Sequence, residues 1–567
     1  MTKRSQEAPY PRLIRIREKR TVAVFRRGEF IMVFRAKAAA MLAIALLAAS
    51  PAFAHPLLTP HMPDVVESHS VAVAGTPDAK LHLTLQVVLP MRNRDALKTF
   101  VDAVTDPRSP LFRHYLSVTE FTKRFGPTAR DYEAAAKFFA ASGLSITGRA
   151  PNRYLLQVEG DVATVERVFH IKLNLYRHPT ENRSFMAPDR EPTLDLSVPV
   201  LNVAGLDDYA LPYPKYKAPR GGDVRAHKWQ GSGPDGWYIG SDFRAAYYGN
   251  GPLTGAGQSV GLFEFHGYDP ANVALYFETV GQQNNVPVNG VSTDGTNAFC
   301  DECADGEQVL DIQYAASMAP GLDQIQVYVG KTAIAILNRM ATDNTSKAIS
   351  VSWGWKRNFK TEDPIYLEMA AQGQTVLIAS GDDSSLKASG QWPEEDANLV
   401  AVGGTDLVTN GPGGAWVSES GWNASGGGPS LDKHIGIEPY QLPFITRKNG
   451  GSKKLRNVPD VSANANYNMF SCYHNRRCEG GWGGTSFSAP MWAGFIAMAN
   501  EQAAQHSKPA VGFFNAQLYD LMRTTPSTLH DPRRHKSGEF STVKGYDLVT
   551  GLGSPNGQTL IDALAGD

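Results

Sequence analysis

The 567 residues are 42% hydrophobic and 20% charged, the balance of a soluble chain too long for one ordinary domain. The formal net charge is −1, yet residues 236–567 carry 22 basic and 33 acidic side chains, against 22 and 20 over residues 55–235. No basic patch interleaved with aromatic residues occurs in the acidic part, which argues against a nucleic-acid partner, and an acidic surface stays soluble in acid without a large positive charge.

Residues 1–54 hold 11 basic and 3 acidic residues. Arg35 and Lys37 precede an apolar run over 38–49, and Ala52-Phe53-Ala54 follows in the small-x-small pattern of signal-peptidase cleavage. The run is short for a membrane span, so a leader for export is expected rather than a single membrane anchor. The basic stretch before Met32 is long for a leader and makes Met32 an alternative start. The expectation is a secreted protein, extracellular or periplasmic, with no stable membrane association.

Over residues 55–208 the pattern is mixed. Strands are expected at 81–88, 145–147, 154–158 and 172–176, and helices at 96–104, 131–141 and 162–169. That order suits a small α+β sandwich. Residues 209–235 are rich in proline, glycine and basic side chains without periodicity, and read as a linker open to proteolysis. From residue 236 strands and helices alternate. Strands are expected at 259–265, 325–329, 348–353, 375–380 and 398–402; helices at 271–280, 308–318, 334–340 and 364–372. Apolar strands in such alternation form a parallel sheet covered on both faces, with functional groups beyond the strand C-termini. The fold class expected is α/β, a doubly wound parallel sheet preceded by a smaller α+β domain.

The four cysteines, Cys300, Cys303, Cys472 and Cys478, all lie in the C-terminal part. Outside the cytoplasm an even count favours disulfides, with three connectivities open. Close spacing suggests two local bridges; a four-cysteine zinc site is the alternative, for which this spacing is a poor match.

Chemistry concentrates in three stretches. GGWGGTSFSAP at 480–490 crowds four glycines before a Thr-Ser pair and a helix-favouring apolar run, which places Ser486 at or just before a helix N-terminus. A plain N-cap serine would look the same. In DGEQVLD at 305–311, Glu307 and Asp311 stand at i and i+4 and face one side of a helix; an exposed acidic helix start would look the same. Ala379-Ser380-Gly381-Asp382 follows an apolar strand, where an aspartate also serves as a turn cap.

GTSFSAP resembles the serine motif of subtilisins and of the sedolisins, or serine-carboxyl peptidases. None of the 14 histidines stands in a subtilisin-like setting, and His266, at the end of the first strand of the third part, is the nearest. The Glu-x-x-x-Asp pair, the SGD motif at Asp382 and the SVSWG stretch at 350–354 are similar to the sedolisin family. So are SPLFRHYLSVTEFTKRFGPTARDY at 109–132 and VEGDVATVERVFHIKLNLY at 158–176, which resemble the family's activation prodomain.

The resemblance implies a subtilisin-like catalytic domain over 236–567 and a prodomain over 55–208, which acts as inhibitor of its own enzyme. Ser486 would be the nucleophile, Glu307 the base, Asp311 its partner, and Asp382 a group lining the oxyanion hole. The implied substrates are proteins and peptides, cleaved in acid by a self-processing zymogen and expected of a monomer. It also implies one structural calcium ion held by Asp531 and Asp547 and by the backbone carbonyls of Pro532, Val543 and Gly545, with proline at 532 and valine at 543 departing from the family's usual residues. Two other readings compete: a catalytically silent secreted binding protein of the same fold, and a neutral subtilisin-like protease.

Overall fold

The computed structural model describes residues 54–219, 230–356, 358–389 and 393–566. The leader, with Met32 and the apolar run, lies outside the described residues, as does the middle of the linker. Among the described residues no helix is long and apolar enough to cross a membrane.

The N-terminal part is built on a four-stranded antiparallel sheet in the order Ser145–Arg149, Leu155–Asp161, His82–Val88, Asn202–Ala204. Val162–Phe169 and Ala129–Ala141 pack on one face and bury Val165, Phe169, Ala135 and Phe139 against Leu85, Val87, Leu156 and Val158. The alternating residues of these strands supply that apolar face. Elements expected from the pattern are present, and Val118–Arg124 and Ser184–Pro188 are added. The added helix opens on a capping box in which Ser117 and Glu120 bond each other's backbone N–H.

In the C-terminal part the strands are β1 (Ser259–Glu264), β2 (Val288–Ser292), β3 (Gln324–Val329), β4 (Ala348–Val351), β5 (Thr375–Ala379), β6 (Val400–Thr409) and β7 (Trp416–Gly421). Their order is β2-β3-β1-β4-β5-β6-β7, parallel throughout except for β7, and β8 (Val461–Asn464) runs parallel beside β6. The doubly wound parallel sheet expected from the apolar runs is therefore formed. Helix α1 (Gly306–Met318) is buried along its whole length, and α2 (Thr485–Gln505) is buried from Thr485 through Ala503. Both are buried on all sides, so the polar groups they carry, Glu307 and Asp311 on α1 and Ser486 on α2, must find partners inside the protein. The two helices pack on each other and aim their N-terminal turns at the C-terminal ends of β1, β4 and β5.

One helix start differs clearly from expectation. The helix placed at 364–372 opens at Phe359, so Pro364 lies inside it past the first turn, and its missing N–H leaves the Lys360 carbonyl without its intrahelical donor. Helix α2 opens at Thr485, so Ser486 lies in its first turn and Pro490 in its second. The cysteines form the two local bridges, Cys300–Cys303 and Cys472–Cys478, the second across the hairpin Met469–Tyr473 and Arg477–Trp482.

The N-terminal domain docks on the helices of the larger one. Tyr154 donates its hydroxyl proton to Thr361 O at 2.8 Å, and buried Asn152 donates to Asn338 Oδ1 and Glu368 Oε2, both at 2.7 Å. Arg94 pairs with Asp363 at 2.5 Å. Buried Arg113 reaches the C-terminal helix Gly557–Ala565, where its guanidinium donates to Leu564 O, to Ala565 O at 3.3 Å, and to Gln517 Oε1 at 3.1 Å. Carbonyls at a helix C-terminus carry partial negative charge and favour a cation. Arg113→Ala should therefore loosen docking by about 2–4 kcal/mol, since it strands three buried acceptors. Hydrogen exchange over residues 94–125, in full-length chain that also carries Ser486→Ala, should rise; unchanged protection would show that Arg113 does not anchor this domain.

Candidate active site

Ser486, Glu307, Asp311 and Asp382 come together beyond the strand C-termini, all four buried. Ser486 Oγ donates to Glu307 Oε2 at 3.0 Å, with Ser352 O at 3.3 Å as a second acceptor. Asp311 Oδ1 accepts from Ser352 Oγ at 2.9 Å. The i, i+4 spacing on α1 places Glu307 and Asp311 on one face, and α1 itself carries that face to the serine.

A third carboxyl joins them. Glu264, the last residue of β1, is fully buried and accepts from Trp353 Nε1 at 2.9 Å. Burial pushes Glu307, Asp311 and Glu264 above the usual carboxylate range, and Asp311 raises both of its neighbours further. Glu307 Oε1, Asp311 Oδ2 and Glu264 Oε1 accept no conventional donor. Carboxyls placed this way cannot all ionise at once; they hold protons in common and titrate as a group.

Asp382 sits on the loop after β5. Its Oδ1 accepts from Thr485 N–H at 2.8 Å and Thr485 Oγ1 at 2.9 Å, while Oδ2 has no partner. Burial pushes its carboxyl up to about 7, so it is protonated in acid and able to donate from Oδ2.

The linker was expected to carry no ordered element, yet residues 211–219 lie along this site. Tyr213–Pro214 pairs antiparallel with Trp353–Gly354, and Lys215 N–H donates to Ser352 O at 2.9 Å. Ser486 N–H donates to Lys215 O at 3.0 Å. Farther on, Lys217 exchanges backbone hydrogen bonds with Gly483, at 2.7 and 3.1 Å. Gly484, at φ +128°, makes the approach possible: a Cβ there would stand 2.7 Å from Lys215 O, 2.7 Å from Asp382 Oδ2 and 2.6 Å from Tyr216 Cα. The Lys215 carbonyl, which takes the Ser486 amide, and the free oxygen of Asp382 thus both flank Gly484.

His266 is exposed, with the edge of its ring against Trp353 at 5.8 Å between centroids. The acceptor at Ser486 Oγ is the carboxyl of Glu307 and not a histidine. Glu264 and Lys215 escaped the sequence reading, which marked Ser352 and Trp353 only as part of a motif and gave them no role. A glutamate inside the apolar run Val260-Gly261-Leu262-Phe263-Glu264-Phe265 was the one available signal, because a charge is costly on a strand buried on both faces.

The five residues expected to hold calcium flank the short hairpin of Lys536–Ser537 and Phe540–Ser541. Asp531 Oδ2 accepts from Gly545 N–H at 3.2 Å and from Arg533 Nη2 at 2.6 Å. Asp547 Oδ2 accepts from Val543 N–H at 3.0 Å; its Oδ1 takes Val549 N–H, Thr550 N–H and Thr550 Oγ1 between 2.8 and 3.1 Å. Asp547 is buried, and burial pushes it up to about 7. Among the described residues no cluster of three or more His, Cys, Asp or Glu could hold a metal, so any ion here needs the carbonyls as well.

Residues 69–209 match the family model for the pro-kumamolisin activation domain, and residues 310–543 match that of the subtilase family. The chain pairs a pro-kumamolisin activation domain with a subtilase-like serine peptidase domain. Kumamolisin from Bacillus sp. (strain MN-32) is 28% identical over 86% of this chain and 92% of its own length; sedolisin from Pseudomonas sp. (strain 101) is 27% identical over 87% and 89%. Human tripeptidyl-peptidase 1 is similar at 23% identity over 86% and 93%. The solved structure of Pseudomonas sedolisin, a serine-carboxyl proteinase in complex with pseudo-iodotyrostatin, superposes with a TM-score of 0.51 at 26% identity, over 58% of this chain and 98% of that one.

Proposed function

We propose that the protein is an exported, acid-active serine-carboxyl endopeptidase made as a zymogen that processes itself. The observation that carries this reading is the 3.0 Å hydrogen bond from Ser486 Oγ to Glu307, within a buried group of carboxyls. In the reaction, Oγ attacks the peptide carbonyl carbon while its proton passes to Glu307 Oε2. The tetrahedral oxyanion takes hydrogen bonds from Ser486 N–H and protonated Asp382. The C–N bond then breaks, Glu307 returns the proton to the leaving amine, and water hydrolyses the acyl-serine by the same path reversed. Asp311, held by Ser352 Oγ, orients Glu307 and shares its proton.

A histidine base, with its pKa near ~6.5, is charged in acid, whereas carboxyls ordinarily titrate near ~4.3. Burial raises Glu307 above that, but it shares protons with Asp311 and Glu264, so the group keeps a basic oxygen to accept the serine proton. Asp382 donates only below about 7. Both features favour acid working conditions. The cleft carries chain on both sides of Lys215, which favours cleavage inside a chain over removal of short end pieces. Two disulfides and the leader favour export. The test is hydrolysis of a denatured protein across pH by wild type and Ser486→Ala. Activity that peaks at neutral pH or survives in Ser486→Ala would reject the reading.

At 529–547 the two carboxylates now accept the N–H groups of Val543 and Gly545, and calcium, which takes hard oxygen ligands, would need them together with the neighbouring carbonyls turned toward it. Asp531 and Asp547 would hold it with the carbonyls of Pro532, Val543 and Gly545, and the ion would serve stability alone. Arg533, now on Asp531, would move aside. Chelator should lower the melting temperature of the mature enzyme by roughly 5 °C, restored by calcium. An unchanged melt would remove these residues from any metal site.

A further inference from the structure

The linker passes through the cleft in the pose of a substrate, and one side chain of it is swallowed whole. Lys215 is 2% exposed. Its ammonium donates to Glu394 Oε2 at 2.7 Å and to Ala379 O at 2.8 Å, and both charged side chains are wholly removed from solvent. The next basic residue behaves differently. Lys217 pairs with Asp383 at the surface, with both side chains more than a third exposed, an arrangement worth little.

We infer that Glu394 forms a primary specificity pocket for a lysine side chain, and that the maturation bond is Lys215–Tyr216. This rests on the peptidase reading above. Three backbone contacts fix the bond. Lys215 N–H bonds Ser352 O, Lys215 O receives the Ser486 amide, and Lys217 pairs with Gly483, so the nucleophile and the oxyanion donors face the Lys215 carbonyl. Ser486 Oγ would bond to that carbon, the C–N bond to Tyr216 would break, and the Tyr216 amine would leave with the proton relayed by Glu307. Water then frees the Lys215 carboxyl. Tyr216, tilted against Trp482 at 5.2 Å between centroids, would become the N-terminus of the mature chain.

Glu394 stands in a run of three acidic residues, but only it is aimed at the pocket. Glu395 Oε2 accepts from Ser430 Oγ at 2.7 Å, and Asp396 Oδ1 accepts from Asn398 N–H at 2.8 Å. A carboxylate sealed from water is stable only with a partner, so the pocket selects the cation that completes the pair and rejects apolar and acidic side chains. The two acceptors suit the compact ammonium of lysine better than the planar guanidinium of arginine.

Two measurements test this. The first is the mass and N-terminus of the earliest product when full-length wild type is acidified, beside full-length Lys215→Met. The second is kcat/KM on peptides spanning residues 211–218 with lysine, arginine, norleucine or glutamate at position 215, for wild type and Glu394→Gln. The expected results are a chain that begins at Tyr216, slower cutting of that bond in Lys215→Met, and lysine preferred over norleucine by about 10- to 100-fold, a preference lost in Glu394→Gln. A wild type that cuts norleucine as well as lysine, or first cuts another bond, overturns the inference and leaves the peptidase reading intact. Should Glu394→Gln fail to fold, the wild-type peptide series decides alone. Failure of wild type to cut any peptide or denatured protein overturns both.

Discussion

Full-length Ser486→Ala, held in acid where the wild type matures, is expected to stay at its unprocessed mass. Glu307→Gln should behave in the same way. The amide of glutamine has the shape of the carboxyl and can still take a hydrogen bond from Ser486 Oγ, but it has no basicity with which to remove the proton. Loss of a nucleophile or its base costs on the order of 10⁴–10⁶ in turnover, and the two losses should not add, because they disable one step. The double variant should therefore be no slower than either single one. The measurement is intact mass against time in acid, followed by turnover on a denatured protein. A Ser486→Ala chain that matures alone would assign the cut to another residue or another protease, and a Glu307→Gln enzyme within tenfold of wild type would remove the carboxylate base. A binding protein that keeps the fold without chemistry would show no difference between wild type and either variant.

What could be read from the sequence follows from how far apart the partners stand in the chain. Glu307 and Asp311 were legible because one helical turn brings them together, and Ser486 because glycines and an apolar run mark its turn locally. The parallel sheet was legible from apolar runs buried on both faces. Strand β2 was not: Val288-Asn289-Gly290-Val291-Ser292 is an edge strand with polar and glycine positions and no sustained alternation. Glu264 and Trp353 stand 89 positions apart and meet only once β1 and β4 pair. Lys215 and Glu394 stand 179 apart and meet through docking of the linker in the cleft. The linker was legible in composition alone; proline and glycine told that it lacks its own regular structure, not that the cleft would supply a partner strand for Tyr213 and Pro214.

Asp382 should prove a proton donor, separable from the base by its response to substitution. Its unpartnered Oδ2 and the Lys215 carbonyl oxygen flank Gly484, each 2.7 Å from where a Cβ there would stand, and an ionised carboxylate beside that carbonyl would repel the oxyanion that forms. Burial lifts its carboxyl to about 7. The sign follows directly: below about pH 7 the group is neutral and donates, and as pH rises through that value it ionises and the donor is lost. Removal of an oxyanion donor costs about 10²–10³ in turnover, so Asp382→Ala should fold and lose activity on that scale. Asp382→Asn keeps a donor at every pH, so it should retain part of the activity and move the alkaline limb of the profile upward. Thr485 N–H and Oγ1, which now hold Oδ1, would hold the amide oxygen in its place and turn the NH2 toward the oxyanion. Glu307→Gln has no such rescue, since an amide cannot accept the proton from Ser486. Turnover against pH for the three variants decides between the roles. If Asp382→Asn is as inactive as Glu307→Gln and its limb does not move, Asp382 takes part in proton transfer itself, and the donor role is wrong.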